Sequence, residues 1–123
     1  MAGDSDRYFT SPEILDLVAA QWPDGIDLDP CWDPESIVQA AQVYDIRQGQ
    51  DGLILPWFGK VFCNPPYSRP EGWLQRAAQH ARGGDGEVVA LVLAAVGASY
   101  WRRLVWPTQG TADGSAALAV LVR

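Results

Sequence analysis

Several things that would narrow a function quickly are scarce in this chain. Its 123 residues hold one histidine, His80, and two cysteines, Cys31 and Cys63. Neither cysteine lies in a CxxC pair or at zinc-ligand spacing from the histidine, so the pattern points to no metal site and no disulfide framework. Both cysteines read as reduced, buried thiols. His80 falls in a helical stretch and reads as an exposed bystander, so no Ser-His-Asp or Cys-His nucleophile is visible. No run reaches the about 18 apolar residues of a spanning helix, and no basic-then-apolar amino terminus marks a signal peptide. Repeats, low-complexity tracts and linkers are also missing.

Basic residues are few in the first half. Residues 1 to 59 carry 11 acids against two bases, whereas residues 60 to 123 carry 4 acids against 7 bases. The net charge of −6 argues against wholesale nucleic-acid binding, but a local basic face beside an acidic body suits a polyanion approaching from one side. Ordinary solvated arginines on helix faces would give the same counts. What is plentiful is apolar: 48% of the residues. A chain of this length buries roughly two-thirds of its unfolded surface, enough for one self-sufficient core. A single domain over 1–123 is expected, with residues 1–7 loose and 107–115 a short turn region.

Along the chain, Ser11 before Pro12 and Glu13 signals a helix start, and Ile14, Leu17, Val18 and Trp22 recur at helical spacing. Pro23-Asp24-Gly25 ends that helix. "IDLDPC" alternates and reads as a strand ending at Pro30; "DPESIVQAA" reads as a short helix and "QVYDI" as a second strand. "KVFCN" is a strand, "EGWLQRAAQHA" a helix, "EVVALVLAA" a strand apolar on both faces, "SYWRRLVW" a helix and "AALAVLVR" a last strand. Alternating strands and helices predict an α/β fold with a mostly parallel sheet flanked by helices. Ligands of such sheets bind at the carboxyl ends of the strands, where Asp29 and Asn64 are expected.

The stretch after "KVFC" is Asn64-Pro65-Pro66-Tyr67. Each proline fixes its own φ and pushes the preceding residue out of the helical region, giving a stiff, extended turn. Prolines have no N–H to consume nearby carbonyls. The Asn64 side-chain carbonyl and the Pro65 main-chain carbonyl therefore form a pair of acceptors suited to a planar NH2 group. Tyr67 offers a ring on which a flat heterocycle can stack. Adenine's amino nitrogen is a poor nucleophile because its lone pair is delocalised; accepting both hydrogens draws it toward a tetrahedral shape and frees that pair. A bare Asn-Pro-Pro-Tyr can also be just a tight turn, and the amide NH2 of a protein glutamine is equally planar.

Taken in order, "YFTSPEIL", "IDLDPCWDP", "DGLILPW", "VFCNPPYS" and "VVALVLAA" resemble the phage-type (Dam-like) DNA N-6-adenine methyltransferases from about Tyr8 to Trp101. The resemblance implies a small Rossmann-like methyltransferase fold. It also implies S-adenosylmethionine as cofactor, DNA as partner with the adenine flipped out, and a phage or prophage product working in a bacterial cytoplasm. By it, Asn64, Pro65, Pro66 and Tyr67 would be catalytic. Thr10, Ser11 and Pro12 would lie against the cofactor, as would Asp29, Pro30 and Cys31, while Asp51, before Gly52 and Leu53, would accept from the cofactor's adenine. The same residues have plainer readings: Thr10 and Ser11 as helix caps, Asp29 and Asp51 as turn acids. Most of the six tryptophans read as core, with Trp32 and Trp57 near the pocket. The chain departs from the pattern in three places. No G-x-G follows Asp29, Ala95 to Ser99 replaces the expected Pro-Ala-Arg-Thr-Asp-like stretch, and the segment after Trp106 is short. A glutamine-amide protein methyltransferase, or an inactive relative that binds DNA or cofactor, are the competing readings.

Overall fold

The computed structural model describes residues 10–66, 68–83, 86–92 and 118–122. Helix α1, Pro12–Gln21, starts where the Ser11 hydroxyl accepts the Ile14 N–H at 3.3 Å, with Pro12 opening the first turn. It stops at Trp22, and Gly25 turns the chain with φ +98°, a conformation that costs glycine little. Strands β1 (Ile26–Asp29), β2 (Ala40–Val43), β3 (Gly59–Cys63), β4 (Gly86–Val92) and β5 (Leu118–Val122) form one sheet in the order β2-β1-β3-β4-β5. Strands β1 to β4 are mutually parallel, and β5 adds antiparallel to β4. Helix α2, Glu71–Arg82, joins β3 to β4.

Alternation along the central strands makes two apolar faces. Val61, Cys63, Val88 and Ala90 join Leu74, Ala77 and Ala81 of α2 in one cluster. Phe62, Val89 and Leu91 join Val18 and Trp22 of α1 in the other. The result is a helix–sheet–helix sandwich, as the α/β pattern predicts. His80 is not exposed: it is 9% accessible, its Nε2 lies 2.9 Å from the Gly59 carbonyl, and its ring meets Trp57 edge-on.

The expected helix in "DPESIVQAA" does not form. Asp33 Oδ1 accepts from Glu35 N and its carbonyl from Ser36 N, closing one turn, and Ser36 Oγ then accepts from Val38 N. Val38 is drawn into the core with α1, and Ala40 pairs with Ile26; a helix could satisfy neither demand. The β1–β2 crossover therefore forms no helix of its own. A hollow of about 260 Å³ opens there, lined by Leu15, Trp22, Ile26 and Ile37 among others. The second strand runs Ala40–Val43 rather than from Gln42 to Ile46: it starts earlier because Ala40 pairs with Ile26, and it ends earlier because Asp45 leaves it to cap a 3-10 turn, Ile46–Gln48. The helix expected over "SYWRRLVW" and the 107–115 turn lie outside the described residues.

Chain order fixes where a ligand belongs. From β1 the chain moves outward to β2, then crosses back to β3 on the other side of β1. The carboxyl ends of β1 and β3 are thus a topological switch point, where connecting loops diverge and leave a crevice.

Candidate active site

Asp29 closes β1 and is 2% exposed; its Oδ1 accepts the Cys31 N–H at 3.1 Å and its carbonyl accepts the Tyr44 N–H at 3.0 Å. Trp32 N in turn donates to the Tyr44 carbonyl at 3.3 Å. The ends of β1 and β2 are therefore laced together.

The loop after β2 is fixed from three sides. The Tyr44 hydroxyl donates to the Pro56 carbonyl. Trp57 Nε1 donates to the Gly52 carbonyl at 2.7 Å, and Arg76 of α2 donates to the Leu55 carbonyl while lying 5.2 Å over the Trp57 ring. These bonds set Asp51 and Gly52. A Cβ at Gly52 would overlap the Pro30 carbonyl oxygen and crowd the Trp73 ring, so only glycine lets the loop lie against β1. Asp51 Oδ1 accepts the Leu53 N–H at 2.9 Å, and its second oxygen has no partner among the described residues.

The fixed loop and the strand ends enclose a cavity of about 190 Å³, lined by Pro30, Cys31, Trp32, Tyr44, Ile46, Gln50, Asp51, Gly52, Pro66 and Trp73. That volume suits one flat ring system rather than a whole nucleoside derivative; a 150 Å³ cavity holds benzene. Four residues singled out in the sequence meet here: Pro30, Cys31, Asp51 and Pro66. Trp32 lines it as expected, whereas Trp57 is 8% exposed and packs in the core beneath the loop.

Asn64 and Pro65 are buried at the end of β3, Asn64 at 6% exposure. The cavity touches their turn through Pro66. Tyr67 lies outside the described residues. Four residues connect α1 to β1, so the first turn of α1 lies toward the same carboxyl edge of the sheet. There Thr10 is 4% exposed, and its buried hydroxyl has no partner among the described residues. Ser11 is engaged as the α1 cap, and Pro12 is exposed.

Asp45 went unnoticed in the sequence because it hid inside an apparent strand. It stands just past β2 and is 3% exposed. Arg47 clasps it with Nε to Oδ1 at 3.0 Å and Nη2 to Oδ2 at 2.8 Å, while Arg47's guanidinium carbon sits 5.9 Å from the centroid of the Trp32 ring. The Arg47 hydrogen bonds hold the Asp45 carboxyl below its usual range and raise Arg47. An acid after the second strand was the one signal that could have marked it. Tyr44, Ile46, Gln50 and Trp73 carried no chemical signature and became visible only through the cavity.

Strand order and the crevice at the switch point define the class: a reduced Rossmann-like α/β methyltransferase domain. The family model for DNA N-6-adenine-methyltransferase (Dam) matches residues 2–109, and the chain belongs to that family. Its work is therefore adenine methylation in DNA, drawing on a methyl donor. No curated protein and no solved structure matches the chain. Among the described residues no helix is long and apolar enough to cross a membrane, and no cluster of side chains could hold a metal ion.

Proposed function

We propose that the protein transfers a methyl group from S-adenosylmethionine to the exocyclic amine of an adenine flipped out of DNA, at a specific sequence. The observation that carries this reading is the position of the Asn64-Pro65-Pro66 turn at the carboxyl end of β3, sharing Pro66 with a ring-sized cavity. S-adenosylmethionine would supply the electrophilic methyl group.

The residues present fit that cofactor. Trp32, Ile46 and Trp73 wall a space of one ring system, and the unengaged Asp51 oxygen suits an adenine amino group. Pro30 and Cys31 complete the floor beside Asp29. Thr10's buried hydroxyl, without a described partner, is a second polar group awaiting a ligand; Ser11 and Pro12 would border the same end.

At the substrate, Asn64 and the Pro65 carbonyl would accept the two hydrogens of the target amine, and Pro66 would keep the turn rigid. Tyr67 would stack under the base. Extruding a base costs a few kcal/mol, and stacking returns about 1–3 kcal/mol. Residues 107–115, within the single domain 1–123, would contribute to target recognition. A DNA substrate and this cofactor suit a phage or prophage product in a bacterial cytoplasm.

The test is incubation with labelled S-adenosylmethionine and unmethylated DNA, with Asn64→Ala as control. Label on adenine that vanishes in the variant supports the reading. Label on co-purifying protein would favour a glutamine amide as acceptor, and cofactor binding without transfer an inactive relative; either outcome refutes it.

A further inference from the structure

A DNA substrate needs a positive contact close to the reacting base, and the fold removes most of the obvious candidates. Arg76 is half-buried and spent on the Leu55 carbonyl and the Trp57 ring. Arg82 ends α2, and Lys60 is the second residue of β3, so both stand at the amino edge of the sheet. A 12-residue helix is about 18 Å long, which separates Arg82 from the crevice by nearly the full depth of the molecule. Arg47 is at the correct edge, but Asp45 neutralises it. The same edge carries Asp29 and Asp51, whose charge repels phosphate.

Arg69 differs from all of these. Its N–H closes a turn on the Pro66 carbonyl at 3.2 Å. The buried Pro70 follows and restricts Arg69's backbone to extended conformations. Its side chain is exposed, and its guanidinium has no partner among the described residues. A rigidly mounted, unneutralised guanidinium thus stands two residues beyond Tyr67.

Resting on the reading of Asn64–Tyr67 as the methylation turn, we propose that Arg69 grips a backbone phosphate beside the flipped adenine and seats DNA against that turn. It is a positioning residue: guanidinium pairs with phosphate oxygens in fork geometry, and phosphate contacts fix register without reading sequence.

The experiment is fluorescence anisotropy of a DNA duplex against salt, with steady-state methylation, for the unaltered protein, Arg69→Ala, Arg69→Lys and Arg82→Ala. In Arg69→Ala the slope of log affinity against log salt should fall by about 0.9, one phosphate contact. DNA binding should weaken by roughly tenfold, with the loss in KM for DNA rather than kcat and cofactor affinity unmoved. Arg69→Lys should restore the slope, and Arg82→Ala should leave it intact. An unchanged slope in Arg69→Ala, or an equal fall in Arg82→Ala, overturns the proposal while leaving the methylation reading standing. No salt-dependent DNA binding by the unaltered protein overturns both.

Discussion

Arg76 and Trp57 form a stacked pair, guanidinium carbon 5.2 Å from the ring centroid, and through it α2 holds the loop that carries Asp51. An arginine that looked like part of a polyanion-binding face is a fastener of the loop that walls the cavity. Arg76→Ala should cost about 2–3 kcal/mol in urea unfolding, the sum expected of a desolvated cation–π contact and a charged hydrogen bond. It should also weaken cofactor binding while leaving the salt slope of DNA binding unchanged.

At Asn64 the expectation is a chemical loss without a binding loss. Asn64→Ala should lower kcat by roughly 10²–10³, the scale of losing one preorganised hydrogen-bonding group. Calorimetry should show cofactor affinity within a few-fold of the unaltered protein. A parallel loss of cofactor affinity would show that position 64 serves the cofactor instead.

Gly52 tests the fit of loop on strand. Gly52→Ala places a methyl group where the Pro30 carbonyl and Trp73 ring already stand. Overpacking of this kind costs about 1–3 kcal/mol, and the displaced Asp51 should weaken cofactor binding as well. Thermal unfolding and calorimetry together check both halves.

Asp45 and Arg47 give a pH signature with a definite sign. The folded Asp45 carboxyl is held below its usual value, by Arg47 hydrogen bonds first of all. Its contribution is therefore full above the unfolded pKa of about 3.9 and is lost as pH falls through the lower folded value. Arg47→Gln should be less stable than the unaltered protein at pH 7, and the difference should vanish in strong acid. Urea midpoints at pH 7, 5 and 3 measure it; a gap that widens below pH 4 would contradict the pairing.

Cysteine chemistry reports on the cavity directly. Cys31 lines it at partial exposure, while Cys63 is 0% exposed in the core. An alkylating reagent should modify one thiol per native chain, at Cys31, and S-adenosylhomocysteine should slow that reaction. Mass spectrometry of tryptic peptides distinguishes the two positions.

The sequence carried the sandwich well because its signals were local. Ser11-Pro12 caps α1 as its chemistry demands, and the alternation in "KVFC" and "EVVALV" puts each residue on the face its neighbours imply. It misled where a distant partner decided the outcome. Asp33 has the chemistry of a helix cap, yet pairing of Ala40 with Ile26 takes the following residues into a strand. His80 looks like a surface residue until the Gly59 carbonyl claims it. Of the cavity lining, Pro30, Cys31, Asp51 and Pro66 were legible because turn and strand-end residues announce themselves. The walls, Tyr44 and Ile46 from the end of β2 and Trp73 from α2, come from two distant segments that share no spacing a linear reading could detect.

With no helix formed in the β1–β2 crossover, β2 is a four-residue margin, half-exposed or exposed throughout, that among the described residues neighbours β1 alone. Such margins are where backbone amides trade hydrogen for deuterium soonest. Tyr44 and Ile46, which line the strand-end cavity, hang directly from it, so occupancy of that cavity and fraying of the rim become one linked equilibrium: whatever fills the cavity should slow exchange at Ala41 to Val43.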